Sequence, residues 1–124
     1  MTRQRQELGR QGEEIACAFL LEKGLRLECR NYRVRSGEID LVMWHGDILV
    51  FVEVRTRSDN FFGEPVESVQ SGKRRKIINV ARHFLREKKI DAEVRCRFDL
   101  VGVLLRKDQP AEIEYLPNAF MVGD

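Results

Sequence analysis

The sequence predicts an α/β protein in which helices cover a mixed β-sheet, with the elements in the order α-β-β-β-α-β-β. Three observations predict it. Segments 7–23 and 71–89 repeat their apolar residues at helical spacing. Three segments between them and two after the second have the β-branched, apolar character of strands, and turn or breaker residues stand at most of the junctions. The 124 residues, 43% of them hydrophobic, suit one domain over 1–124 whose core needs no disulfide.

Each element follows from its own residues. In 7–23, Leu8, Ile15, Ala16, Phe19 and Leu20 recur at helical spacing, and Gly24 follows as a stop. Segments 25–35, 37–45 and 48–55 read as three consecutive strands, the last two joined as a hairpin through Gly46-Asp47. The stretch 58–65 (SDNFFGEP) holds Asn, Gly and Pro and reads as a loop. In 71–89, Ile77, Val80, Ala81, Phe84 and Leu85 share a helical face, while Arg75, Asn79, Arg82 and Arg86 lie close to the opposite one. Segment 94–106 reads as a further strand and 112–116 as a weaker edge strand.

Several classes are excluded. The longest apolar runs fall far short of the roughly 20 residues a membrane span needs, and apolar residues are too plentiful for a disordered chain. The N-terminal residues lack the apolar stretch of a secretory signal, so a cytoplasmic protein is expected. Cys17, Cys29 and Cys96 are odd in number, widely spaced and far from any CxxC pattern, which reads as reduced apolar filler. His45 and His83 have no ligand partner. The net charge is only +2, but 73–89 carries eight bases against one acid, Glu87, leaving the rest of the chain negative. Such asymmetry marks a contact surface for a polyanion, nucleic acid above all.

The acids carry the chemistry. Side chains alternate along a strand, so Glu38 and Asp40 are expected on one face, with Ile39, Leu41 and Met43 on the other. In the next strand Glu53 and Arg55 share a face, opposite Ile48, Val50, Val52 and Val54. A hairpin brings Asp40 and Glu53 within about 5 Å, where like charges repel by roughly 3 kcal/mol at an effective dielectric of about 20. Either Arg55 or a divalent cation with oxygen ligands offsets that repulsion; the first alternative is an ordinary ion pair on a half-exposed sheet. On a helical wheel Glu13 borders the packed face among Gly9, Ala16, Cys17 and Leu20, whereas Glu14 points to solvent. A third carboxylate aimed at the sheet exceeds what one arginine neutralises.

The segments GRQGEEIACAFL, NYRVRSGEIDLVMW, LVFVEVRTRS and FFGEPVESVQSGKRRKI, followed by RFDLVGV, resemble the bacterial YraN-like family of uncharacterised proteins over almost the whole chain. That family is similar in turn to the PD-(D/E)xK nucleases, including the archaeal Holliday-junction resolvases. The resemblance implies a restriction-endonuclease-like core and a Mg²⁺-dependent (or Mn²⁺-dependent) phosphodiesterase. Carried over position by position, it makes Glu13 the helix acid, Asp40 the strand acid and Glu53-Val54-Arg55 the Glu-x-Lys. Here Arg55 replaces the usual lysine; a guanidinium cannot act as a base near neutral pH, but it can clamp a phosphate and stabilise developing charge.

On this reading Asp40, Glu53 and Glu13 hold the metal, Arg55 and Lys73 bind the scissile phosphate, and Glu38 and Asp99 are supporting candidates. The polymer backbone lies against Arg75, Arg82 and Arg86, with Arg33, Arg35 and Arg57 beyond them, contacts that give affinity without sequence preference. Phe61 and Phe62 read as anchors of their loop or of a dimer contact, ahead of stacking on an unpaired base or wedging a junction. DNA is the expected polymer ahead of RNA, and a symmetric four-way junction calls for a homodimer. The other class of reading is a module of the same fold that binds nucleic acid without cutting it, its acids locked in a salt bridge by Arg55.

Overall fold

The computed structural model describes residues 3–58 and 71–120. The elements stand in the predicted order: helix α1 (Arg3–Glu22), strands β1 (Arg26–Val34), β2 (Gly37–His45) and β3 (Ile48–Ser58), helix α2 (Ser71–Glu87), then β4 (Cys96–Leu105) and β5 (Glu112–Phe120). Of the expected loop, all but Ser58 lies outside the described residues, Phe61 and Phe62 included.

Helix α1 stops where Gly24 adopts φ 97°, a left-handed conformation that costs glycine little. The Leu25 N–H then reaches the Leu20 carbonyl (3.1 Å) and the Gly24 N–H reaches Leu21 (3.0 Å), satisfying the last carbonyls of the helix.

The strands form one sheet in sequence order. β1–β2, β2–β3 and β4–β5 pair antiparallel, while β3–β4 is parallel. A parallel neighbour requires a crossover, and α2 is the element that lies between those two strands in the chain. On one face α2 packs Ile77, Val80, Ala81 and Phe84 with Val42, Leu49, Phe51, Phe98 and Leu100. On the other, α1 packs Ala16, Cys17 and Leu20 with Leu41, Met43, Val50, Val52 and Val101. The centre of the sheet is therefore covered on both faces, not half-exposed, which explains the unbroken apolar run at the start of β3.

Several details differ from the sequence reading, among them the start of α1, which lies at Arg3 and not at 7. Ile39 does not join Leu41 and Met43; it packs in the α2-side cluster. The cause is that β2 leaves β3 after the Leu41↔Val52 pair, and the Asp40 carboxylate takes the Val54 N–H (2.8 Å) in place of a ladder carbonyl. Alternation slips by one residue at that departure. β3 continues beyond 55 to Ser58, because its parallel pairing with β4 runs on to Ser58↔Leu105 after the hairpin partner has gone. β5 likewise continues beyond 116 to Phe120, whose ring stacks on Phe98 with centroids 4.8 Å apart.

Candidate functional site

Just beyond the place where β2 parts from β3, α1 lies close against β3. Gly12 is buried against Thr56; a Cβ built there would lie 1.9 Å from Thr56 Oγ1, so only glycine fits. That close approach brings the next residue, Glu13, to the sheet, while Glu14 faces outward and pairs with Arg10 (2.7 Å). Glu13 hydrogen-bonds Asp40 and feels the charges of Glu38 and Glu53. Asp40 occupies the register position opposite Glu53, at the first step where the ladder is open. Glu13 from α1, Asp40 from β2 and Glu53 from β3 thus lie within electrostatic reach of one another, although the hairpin ladder expected to pair Asp40 with Glu53 ends one step before them at Leu41↔Val52.

The electrostatics follow from that crowding. Burial pushes the Asp40 carboxyl well above the usual aspartate range, the Glu53 charge adds to it, and the Val54 N–H opposes both. Glu13 is raised as well, first by burial and then by Glu38, while its hydrogen bonds to Asn31 and Asp40 pull the other way. A carboxyl that keeps its proton longer donates to its neighbour, which is how two acids share a hydrogen bond.

Two neighbours complete the group, one of which sequence reasoning overlooks. Asn31 in β1 has φ 51°, and its amide, oriented to donate, gives hydrogen bonds of 3.0 Å to both Glu13 and Glu38. A polar, left-handed-tolerant residue in mid-strand, in line with Asp40 across the β1–β2 pair, is the only signal the sequence holds for it. Glu38 is further paired with Arg33 (3.0 Å). The second neighbour is Lys73, whose Nζ lies 3.0 Å from Oε1 of Glu53, a side chain only 13% exposed. Arg55 does not take that role: among the described residues no ion pair joins it to an acid, so the Arg55 lock of the alternative reading is replaced by an amine from the first turn of α2.

The donor set suits a hard divalent cation, since it consists of carboxylate oxygens with no sulfur or imidazole among them. Among the described residues, however, no three His, Cys, Asp or Glu side chains stand close enough to surround a metal ion as placed. Their oxygens are engaged by Val54, Asn31 and Lys73 instead.

Asp99 has different work. It is 1% exposed and bonded to Arg97 (2.9 and 3.0 Å), the Tyr115 hydroxyl (2.5 Å) and the Asn118 N–H (2.9 Å), a set that ties β4 to β5. These contacts satisfy its oxygens apart from the acid cluster. His45 ends β2 and has Nδ1 3.1 Å from Arg97. Arg75, Arg82 and Arg86 are exposed along α2, and Arg35 is exposed in the β1–β2 turn. Arg57 is half-buried, its Nε without a hydrogen-bond partner among the described residues. No helix among the described residues is long and apolar enough to cross a membrane.

The sequence profile of "Uncharacterised protein family UPF0102" matches residues 12–103, a stretch that contains Glu13, Asp40, Glu53 and all of α2. The chain belongs to this family. A UPF0102 protein of Syntrophotalea carbinolica is 43% identical over 122 residues, 98% of both chains. One of Desulforamulus reducens is 42% identical over 121 residues, covering 96% of this chain and 99% of the relative. One of Psychromonas ingrahamii is 46% identical over 108 residues, 87% of this chain and 84% of the relative. These UPF0102 relatives carry no activity in their names.

Proposed function

We propose that this protein is a cytoplasmic, Mg²⁺- or Mn²⁺-dependent endonuclease that hydrolyses phosphodiester bonds in structured or branched DNA. The observation that carries the reading is the meeting of Glu13, Asp40 and Glu53 from three separate elements beside the cationic first turn of α2. The branched substrate and the restriction-endonuclease-like assignment rest on the resemblance to PD-(D/E)xK nucleases alone.

Asp40, Glu53 and Glu13 would hold the cation, which when bound polarises a phosphate oxygen and acidifies a water. The chain's own residues do the rest. Lys73, freed from Glu53, and Arg55 donate hydrogen bonds to the scissile phosphate, and Asn31 keeps Glu13 and Glu38 side by side. Arg55 holds its proton throughout, so it orients and neutralises but accepts nothing. The arginines of α2 position the backbone without reading bases.

The test is incubation of branched, duplex and single-stranded DNA with Mg²⁺ or Mn²⁺, alongside Asp40→Asn and Glu53→Gln. Cleavage is expected from the parent and from neither variant; equal cleavage by Asp40→Asn would expose a contaminant and remove the assignment. One observation favours a second reading, a nucleic-acid-binding module without hydrolysis: Lys73 already stands on Glu53 where a metal would bring its charge. That module binds in a salt-sensitive way and takes up no Mn²⁺ through Asp40, which calorimetry distinguishes.

A further inference from the structure

At the far end of α2 the helix and the segment after it enclose a groove of about 730 Å³. Its floor is apolar, formed by Leu85, Ile90 and Val94, and its rim is cationic, with Arg82, Arg86 and Lys89 against the single acid Asp91. Lys89 stands out by its backbone. It has φ 54° and closes α2 as Gly24 closes α1, with Ile90 N–H on the Leu85 carbonyl (2.9 Å) and Lys89 N–H on Arg86 (3.2 Å). Glycine is the residue that occupies this position without strain, so a lysine here sets a side-chain charge on the groove at the expense of the fold.

We propose that this groove is a subsite for an unpaired nucleotide at a strand end of the nucleic acid, an inference that rests on the nucleic-acid reading above. A paired base is stacked inside its duplex and offers a protein surface chiefly phosphates, for which an apolar floor is useless. A nucleotide with its base free presents both a phosphate for the arginines and Lys89 and an apolar face for Leu85, Ile90 and Val94. Thirteen residues of helix separate Lys73 from Arg86, about 20 Å, or about six base-pair steps of a duplex. A branch or frayed end held in the groove therefore sets a fixed spacing to the phosphate presented to Glu53 and Asp40.

The experiment uses the full chain in metal-free buffer, with fluorescence anisotropy of a short labelled oligothymidylate and of a blunt duplex of equal length. Ala92→Glu places an acid on an exposed position of the groove, and Lys89→Gly removes the amine while relieving the left-handed strain. Expected is a loss of about tenfold in oligothymidylate affinity for Ala92→Glu and of several-fold for Lys89→Gly, with the duplex changed by less than about threefold. Lys89→Gly is also expected to melt above the parent, which shows that its weaker binding is not unfolding. Equal losses on both polymers, no loss on either, or a self-associated parent that Ala92→Glu dissociates each overturn the subsite. The two readings fail separately: groove-dependent oligothymidylate binding without metal-dependent cleavage removes only the nuclease, and cleavage with variant-insensitive oligothymidylate binding removes only the subsite.

Discussion

Asp40 holds its proton more tightly than an exposed aspartate does, because burial and the Glu53 charge outweigh the N–H of Val54. Its pKa is higher folded than unfolded, so the native state binds the proton more tightly; its contribution is fully favourable below the ordinary aspartate pKa and is lost as pH rises through the folded value. Asp40→Asn keeps an oxygen for the Val54 N–H and removes the charge. We predict that the variant is more stable than the parent at about pH 8 and that the difference shrinks towards about pH 4, as read from urea unfolding across that range. A variant less stable at the upper end would mean that Asp40 is ionised and well compensated. Asn31 acts from the opposite side of the cluster. Asn31→Gly preserves the φ of 51° and deletes both amide hydrogen bonds, so it should cost about 1–3 kcal/mol and raise the Glu13 pKa further, followed by carboxyl NMR titration. An unchanged Glu13 titration would show that the amide does not hold it. Glu13 is legible in the sequence because helical period alone places it beside the packed face. Asn31 is not, since its role depends on an amide reaching across to a helix that sequence spacing does not locate.

The elements themselves are legible in kind and order, with ends displaced by up to four residues, and two of the misses share one origin. Apolar periodicity reports which face is buried, so α1 and α2 and the starts of β2 and β3 follow from it. Periodicity says nothing of where a strand loses its partner, and both the slip at Asp40 and the extension of β3 to Ser58 are partner effects. The same limit explains Lys73. Its position near the start of the second helix is legible, but its preference over Arg55 for Glu53 depends on where the first turn of α2 sits over the sheet. The seating of α1 is the complementary case, and it makes a prediction at this scale. Gly12→Ala should help the isolated helix by about 1 kcal/mol, yet its methyl group would stand 1.9 Å from Thr56 Oγ1 and 2.9 Å from Thr56 Cβ and Cγ2. Overpacking of that kind costs about 1–3 kcal/mol and pushes α1, with Glu13, off the sheet. Thermal unfolding should show net destabilisation. Combining it with Thr56→Ala should recover only part of the loss, because the Cβ clash at 2.9 Å persists. Full stability in Gly12→Ala alone would mean that α1 is not pinned at Gly12.

At the scale of the whole chain, the charge is divided between a negative body and one cationic helix, and the division decides how a polyanion is met. Eight bases against one acid lie within 73–89, while the net charge of the entire protein is only +2. Repulsion from the remaining surface leaves α2 as the favoured approach, and its inward end carries the same Lys73 that neutralises Glu53. Binding driven by that helix releases counterions from the polymer, so affinity should fall steeply as salt rises. Arg75, Arg82 and Arg86 are exposed, and replacing all three with alanine leaves the packed face of Ile77, Val80, Ala81 and Phe84 intact. If each contacts one phosphate, the slope of log affinity against log salt on duplex DNA should become shallower by about 0.9 per residue, close to about 3 for the triple variant. A triple variant of Arg26, Arg95 and Arg106, which lie outside α2, removes the same formal charge and should change the slope far less. Equal changes in the two variants would show that net charge, not the α2 surface, carries binding, and would detach the helix from the acid cluster it is proposed to serve.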